Sequence, residues 1–314
     1  MKSADLDARH SPRQTLPYLL IAAAAWSFAA PTTLAAETDC RDTEAALGYW
    51  RPIREAAAAE EQAADDLAIE LIGCLGSPNR ELRDRIGYEL FTYWLRGDKL
   101  SDATRRRLLI DLSTHLTGTS DDNALLRSFS ALILSELMRS DAIRPFMGDA
   151  EREELLDTAI VALDREADFR GLDPEVGWVH PVAHIADLLW RFTLHPATNG
   201  EQGVAILDAI RAKVAPTVVA YTFNEGDRLA RVVATLIQRE LVSVDEVVDW
   251  ASRFEVPQSM NTWTDAFLTR AGMAELHNTK LFLRALSDQL RGADIDPAIS
   301  QAIDQLAQGF TQLI

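Results

Sequence analysis

From Asp39 to the C-terminus, apolar residues return at steps of three and four almost without interruption. The residues between them are mostly the helix formers Ala, Leu, Glu, Arg and Gln. No stretch alternates apolar and polar residues in the way a half-buried strand requires. A chain patterned in this way folds as an all-α protein. Breaks fall at Gly76-Ser77-Pro78-Asn79, at Gly97-Asp98-Lys99, at Gly118 to Asp122, from Gly171 to Gly177, from His195 to Gly200, at Asn224-Glu225-Gly226 and at Arg291 to Asp294. They cut the pattern into helices of ordinary globular length.

The helices recur as a unit, in which a helix opening on polar residues is followed by a short turn and a second amphipathic helix. The openings are read at Glu81, Leu126, Trp178, Asp227 and Asn278. Their intervals of about 44 to 53 residues lie near the period of HEAT-type repeats. The expected architecture is therefore stacked antiparallel helix pairs, a HEAT-like α-solenoid forming one domain over residues 37–314. Two openings compare face by face. After His180 the apolar stripe is Val182, Ile185, Ala186 and Leu189, with His180, His184, Asp187 and Arg191 opposite. After Asp227 it is Leu229, Val232, Val233 and Leu236, with Asp227, Arg231, Ala234 and Gln238 opposite. Stacked side by side, such polar stripes either line a binding surface or form a solvated outer face.

The first 36 residues read as a secretory signal peptide. Lys2, Arg9 and Arg13 precede an apolar run from Leu16 to about Ala30, and small residues lead to a cleavage site after Ala36. The run is short for a spanning helix, so no stable membrane span is expected after cleavage, and the address is secreted or periplasmic. In that oxidising setting the two cysteines, Cys40 and Cys74, are a candidate disulfide, with two free thiols as the alternative. The chain carries 31 Lys and Arg against 48 Asp and Glu, a balance that repels nucleic-acid phosphates and anionic lipid and removes a nucleic-acid role.

Four segments carry a resemblance: Arg127 to Leu132, Glu166 to Gly171, Gly177 to Leu189 and Glu225 to Ala230. They resemble the bacterial domain-of-unknown-function family numbered 2785, over about Leu71 to Leu290. The resemblance implies a helical, HEAT-like fold and no assigned activity, so it carries over no catalytic residue.

Chemistry has to be weighed from the side chains themselves. Asp168, Arg170, Trp178, His180, His184 and Asp187 gather around one loop and the start of one helix. His180, His184 and Asp187, at steps of four and three, are the ligand types of a catalytic zinc or iron site, with Glu166 or Asp168 as base. Against this, Pro181 makes His180 a helix cap, and no His-Glu-x-x-His pattern is present. The competing reading is a structural network in which Arg170 pairs with Asp168 or Asp187, Trp178 packs under the loop and His184 bonds within it; a metal-free ligand pocket is the third. Secondary candidates are Asp227 and Arg228 at a helix start, and Arg127 and Ser128, which lack a nucleophile-elbow context. No cofactor motif is present, and a divalent metal enters only through the histidine pair. The functional expectation is an exported binding or scaffold module for a protein, peptide or envelope ligand. A metal-dependent hydrolase acting through the Asp168 to Asp187 cluster is the alternative.

Overall fold

The structure is a computed structural model and describes residues 40–41, 43–58, 64–118 and 124–313. The signal peptide read in residues 1–36 lies outside the described residues. The described chain is predominantly helical with almost no strand. It opens with α1 (Thr43–Ala58) and α2 (Ala64–Leu71), and a π-helical stretch, Glu81–Tyr88, then runs directly into α3 (Glu89–Arg96). Next come α4 (Asp102–Thr117), α5 (Ala124–Ile143) and α6 (Asp149–Arg165). A two-stranded hairpin, β1 (Leu172–Asp173) and β2 (Gly177–Trp178), leads into α7 (Pro181–Leu194) and α8 (Gly200–Lys213). The chain finishes with α9 (Glu225–Gln238), α10 (Val244–Ser252), α11 (Arg270–Leu290) and α12 (Pro297–Gln312).

Local chemistry starts these helices where the breaks end. Ser101, Asn199, Ser243 and Thr269 each turn a side-chain oxygen onto a free first-turn amide, and Asp296 does the same ahead of Pro297. Packing then sorts the helices into two rows. In one, α3 lies on α5, α5 on α7, α7 on α9 and α9 on α11; in the other, α4, α6, α8, α10 and α12 follow one another. Across the rows α4 meets α5, α6 meets α7, α8 meets α9 and α11 meets α12. The aromatic heart of the C-terminal half is Trp250, Phe254 and Phe282, all buried, with rings 5.1 to 6.1 Å apart.

Three expectations change. The opening placed at Asn278 lies well inside α11, which starts at Arg270. Asn278 is buried because its amide accepts from Tyr221 N–H and donates to the Pro216 and Val219 carbonyls, a tertiary role rather than a cap. The register between α7 and α9 also differs. Both helices enter from a left-handed residue, His180 (φ 51) and Asn224 (φ 66). That sets Asp187 opposite Arg231, 44 positions on, and not opposite Ala234. Finally, the α7 polar stripe is closed over most of its length and reaches the surface only at its end, where Arg191 is partly exposed. Every residue from Pro181 to Leu189 is buried, because α5 and α9 flank the helix and α6 backs it.

Cys40 and Cys74 are joined as a disulfide with Cα atoms 5.1 Å apart, tying the start of the described chain to the turn that follows α2. Among the described residues no helix is long and apolar enough to cross a membrane.

Candidate functional site

The segment between α6 and α7 carries most of the sequence candidates, and buried polar groups hold it in place. Glu166 is buried, pairs with Arg127 at 3.0 Å and accepts the Asp168 N–H. Lys213 reaches over to donate to the Asp164 and Glu166 carbonyls. Arg170 pairs with Asp168 at 2.6 Å and with Asp173 at 3.1 Å, not with Asp187. Burial works against the Asp168 carboxylate, but the bonds from Arg170 outweigh it and hold its pKa below the usual value.

The hairpin is clamped from the other side by the π-helical stretch. Arg83, fully buried, donates to the Ser77 and Val176 carbonyls, pairs with Asp84 and lies over the Phe129 ring at 5.0 Å. Gly177 sits at φ 83, which a side chain rarely adopts, and Gly171 lies so close to Phe223 that an added Cβ would fall 2.1 Å from the ring. Trp178 does not pack under the loop. It lies outside, 45% exposed, stacked on the His180 ring at 5.1 Å and edge-on to Phe223.

The two histidines share a neighbourhood but turn to different partners. His180 Nε2 donates to the Phe223 carbonyl at 2.8 Å, with the buried Glu225 carboxylate 3.6 Å away. His184 Nδ1 meets Ser128 Oγ at 2.8 Å, and the Ser128 hydroxyl donates to the Val179 carbonyl. The network therefore assigns the His184 proton to Nδ1. Burial pushes the His184 pKa down to about 3, helped by His180 and Arg228, so the ring is neutral. Burial also lowers His180, against the pull of Glu225.

Asp187 goes elsewhere again, its two oxygens taken by Arg228 and Arg231 of α9. The metal set read from sequence is thus not assembled: His180 is bound to a carbonyl, His184 to a hydroxyl and Asp187 to two guanidiniums. Among the described residues no group of three His, Cys, Asp or Glu side chains is arranged to hold a metal ion. Of the secondary candidates, Ser128 is buried in the His184 bond, Arg127 holds Glu166 and Arg228 holds Asp187, while Asp227 is exposed. Glu225, in the first turn of α9, is buried, accepting from Phe223 N–H and facing His180.

The pair of Asp187 with α9 belongs to a larger row that sequence reading only half saw. On α5, the nearly buried Glu136 receives Arg96 of α3 at 2.7 Å and Arg191 of α7 at 3.6 Å. The half-buried Arg139, one turn on from Glu136, makes no hydrogen bond or ion pair within the described residues. Trp190 of α7 lies under two guanidiniums, Arg231 at 3.9 Å and Arg191 at 4.7 Å. Its indole N–H is fixed by Thr235 Oγ1 at 3.1 Å. Burial, together with neighbouring arginines, moves both Arg191 and Arg231 below the usual arginine range against the pull of Glu136 and Asp187. Arg191 and Arg231 stood in the stripes read from sequence; Arg96, Glu136 and Arg139 carried no local signal beyond helix periodicity.

No curated protein and no solved structure matches the chain. Residues 112–287, from α4 into α11 and spanning all four segments that carried the resemblance, match the family described as "Protein of unknown function (DUF2785)", and the chain belongs to that family.

Proposed function

We propose that the protein is an exported binding module in which the helix pairs stack as a HEAT-like solenoid. It engages a partner through the exposed side of the row α3, α5, α7 and α9. The observation that carries this reading is the chain of charged side chains running from Arg96 through Glu136, Arg191 and Asp187 to Arg231, which crosses four successive helices. In a stacked array the faces of one row join into an extended surface, the part such proteins use for binding. The carboxylates of this chain are nearly buried, with Glu136 3% and Asp187 13% exposed, while Arg96 is 46%, Arg228 39%, Arg231 32% and Arg191 19% exposed. The guanidiniums therefore lie further out than the carboxylates, with Arg191 the deepest of them. Export rests on the basic start, apolar run and small-residue end of residues 1–36, and a disulfide at Cys40 and Cys74 suits an oxidising compartment.

A photo-reactive residue at Leu194, one turn beyond Arg191 on α7, tests the reading against one at Ile110 of α4 in the opposite row; both positions are exposed. After irradiation of intact cells, mass spectrometry of the periplasmic fraction is expected to find a chain starting at Glu37 with adducts at 194 and none at 110. Equal labelling at both positions, no adduct at 194, or a chain retaining Met1 in the cytosol would overturn it.

A further inference from the structure

The arginine row is a local reversal of charge. The whole chain carries a formal charge of −17. Yet Arg96, Arg139, Arg191, Arg228 and Arg231 stand around the carboxylates of Glu136 and Asp187, with the exposed Asp227 one turn before Arg231 on α9. Five cations against three anions leave an excess of positive charge along the row. Crowding like charges is unfavourable, and Arg191 feels it directly, because Arg139 and Arg96 both oppose its charged form. One further detail points outward: the half-buried Arg139 has no carboxylate of its own among the described residues. The head groups are also already ordered. Trp190 lies under the Arg191 and Arg231 guanidiniums, so they lose little freedom on meeting an anion.

We infer that this row is a binding site for an extended acidic peptide, whose carboxylates are taken by Arg139, Arg191 and Arg231 from the three successive helices α5, α7 and α9. The inference deepens the binding-module reading and rests on it. Carboxylate is the anion this face already handles, since Glu136 sits in a two-pronged bond from Arg96 and Asp187 is shared by two arginines. Range of charge decides the size of the ligand. At physiological salt a field fades over about 8 Å, so a short peptide laid on the row meets chiefly the arginines. A nucleic acid or an anionic bilayer spreads beyond the row and meets the acidic remainder of the surface. Spacing decides the conformation. Neighbouring helices pack about 8–10 Å apart, and a polyproline-type chain returns to the same face every third residue after about 9 Å. A peptide with an acidic residue at every third position therefore offers one carboxylate to each helix.

Calorimetric titration of the mature protein with a blocked peptide of about twelve residues, repeating Glu-Pro-Ser, tests this against the same peptide with Gln for Glu and against inorganic phosphate. The expected result is saturable binding of the Glu peptide that weakens as salt rises, with neither the Gln peptide nor phosphate competing. Arg139→Gln breaks no ion pair of the fold and is expected to weaken binding about tenfold. Arg139→Lys should regain part of that loss, and Arg107→Gln, at an exposed position of α4, should change nothing. Equal binding of the Gln peptide, displacement by phosphate, an Arg139→Gln variant that binds like the parent, or no binding of the Glu peptide would each overturn the inference. The cross-linking at 194 stands apart from these outcomes. Adducts there alongside a failed titration would leave a binding face with a different ligand, and no adducts would remove the binding reading itself.

Discussion

His184 shows at the scale of one residue how this protein uses histidine. Its Nδ1–H is fixed on Ser128 Oγ, the edge of Phe129 lies 5.2 Å away, and burial keeps the ring neutral down to about pH 3. The unfolded chain takes up the proton near the ordinary value of 6.5. Between those values the unfolded state binds more protons, so the stability this residue contributes at neutral pH is lost as pH falls below about 6.5, at up to about 1.4 kcal/mol per unit. An Asn at 184 keeps a donor for Ser128 but does not titrate. Urea unfolding at pH 7 and pH 5 is expected to show the parent losing about 2 kcal/mol more than His184→Asn, whereas parallel losses would mean the folded ring takes up a proton. That His184 and Asp187 share a side was legible from their three-residue step. Their partners were not: Ser128 stands 56 positions earlier and Arg231 44 positions later, and only packing of α5, α7 and α9 brings them in.

Among the elements, the hairpin ahead of α7 departs most from the sequence pattern. The break from Gly171 to Gly177 was visible; two short strands inside it were not, because two residues are too few to alternate. Its seat depends on glycine at 171. Gly171→Ala forces Cβ into the Phe223 ring, and the resulting overpacking is expected to cost about 1–3 kcal/mol. Faster proteolytic cleavage between residues 172 and 178 is the readout, and an unchanged cleavage rate would show that Phe223 yields without loosening the loop. Helical content was read well, since six of the seven breaks fall at or beside helix ends, but the turns between α5 and α6 and between α9 and α10 went unread, the second because it holds neither Gly nor Pro. The fifth repeat opening failed because Asn278 is polar for tertiary reasons, while the true start of α11 rests on a single threonine cap at Thr269.

At the scale of the whole molecule, the disulfide closes a separation of 34 residues around α1 and α2. Restricting the unfolded chain in this way is worth about 3–4 kcal/mol on the chain-entropy account. Dithiothreitol is therefore expected to lower the melting temperature of the first helices ahead of the rest, followed by hydrogen exchange in α1 and α2; a uniform loss across the molecule would show that the bridge supports the whole array. The far end of the chain has no such staple, but the middle has something equivalent. The hairpin before α7 is held at one side by Arg80 and Arg83 from ahead of α3 and at the other by Phe223 from ahead of α9. The hairpin thus pins the entry to α7 from both sides of the sequence, so the central helices are held by more than the helices packed beside them.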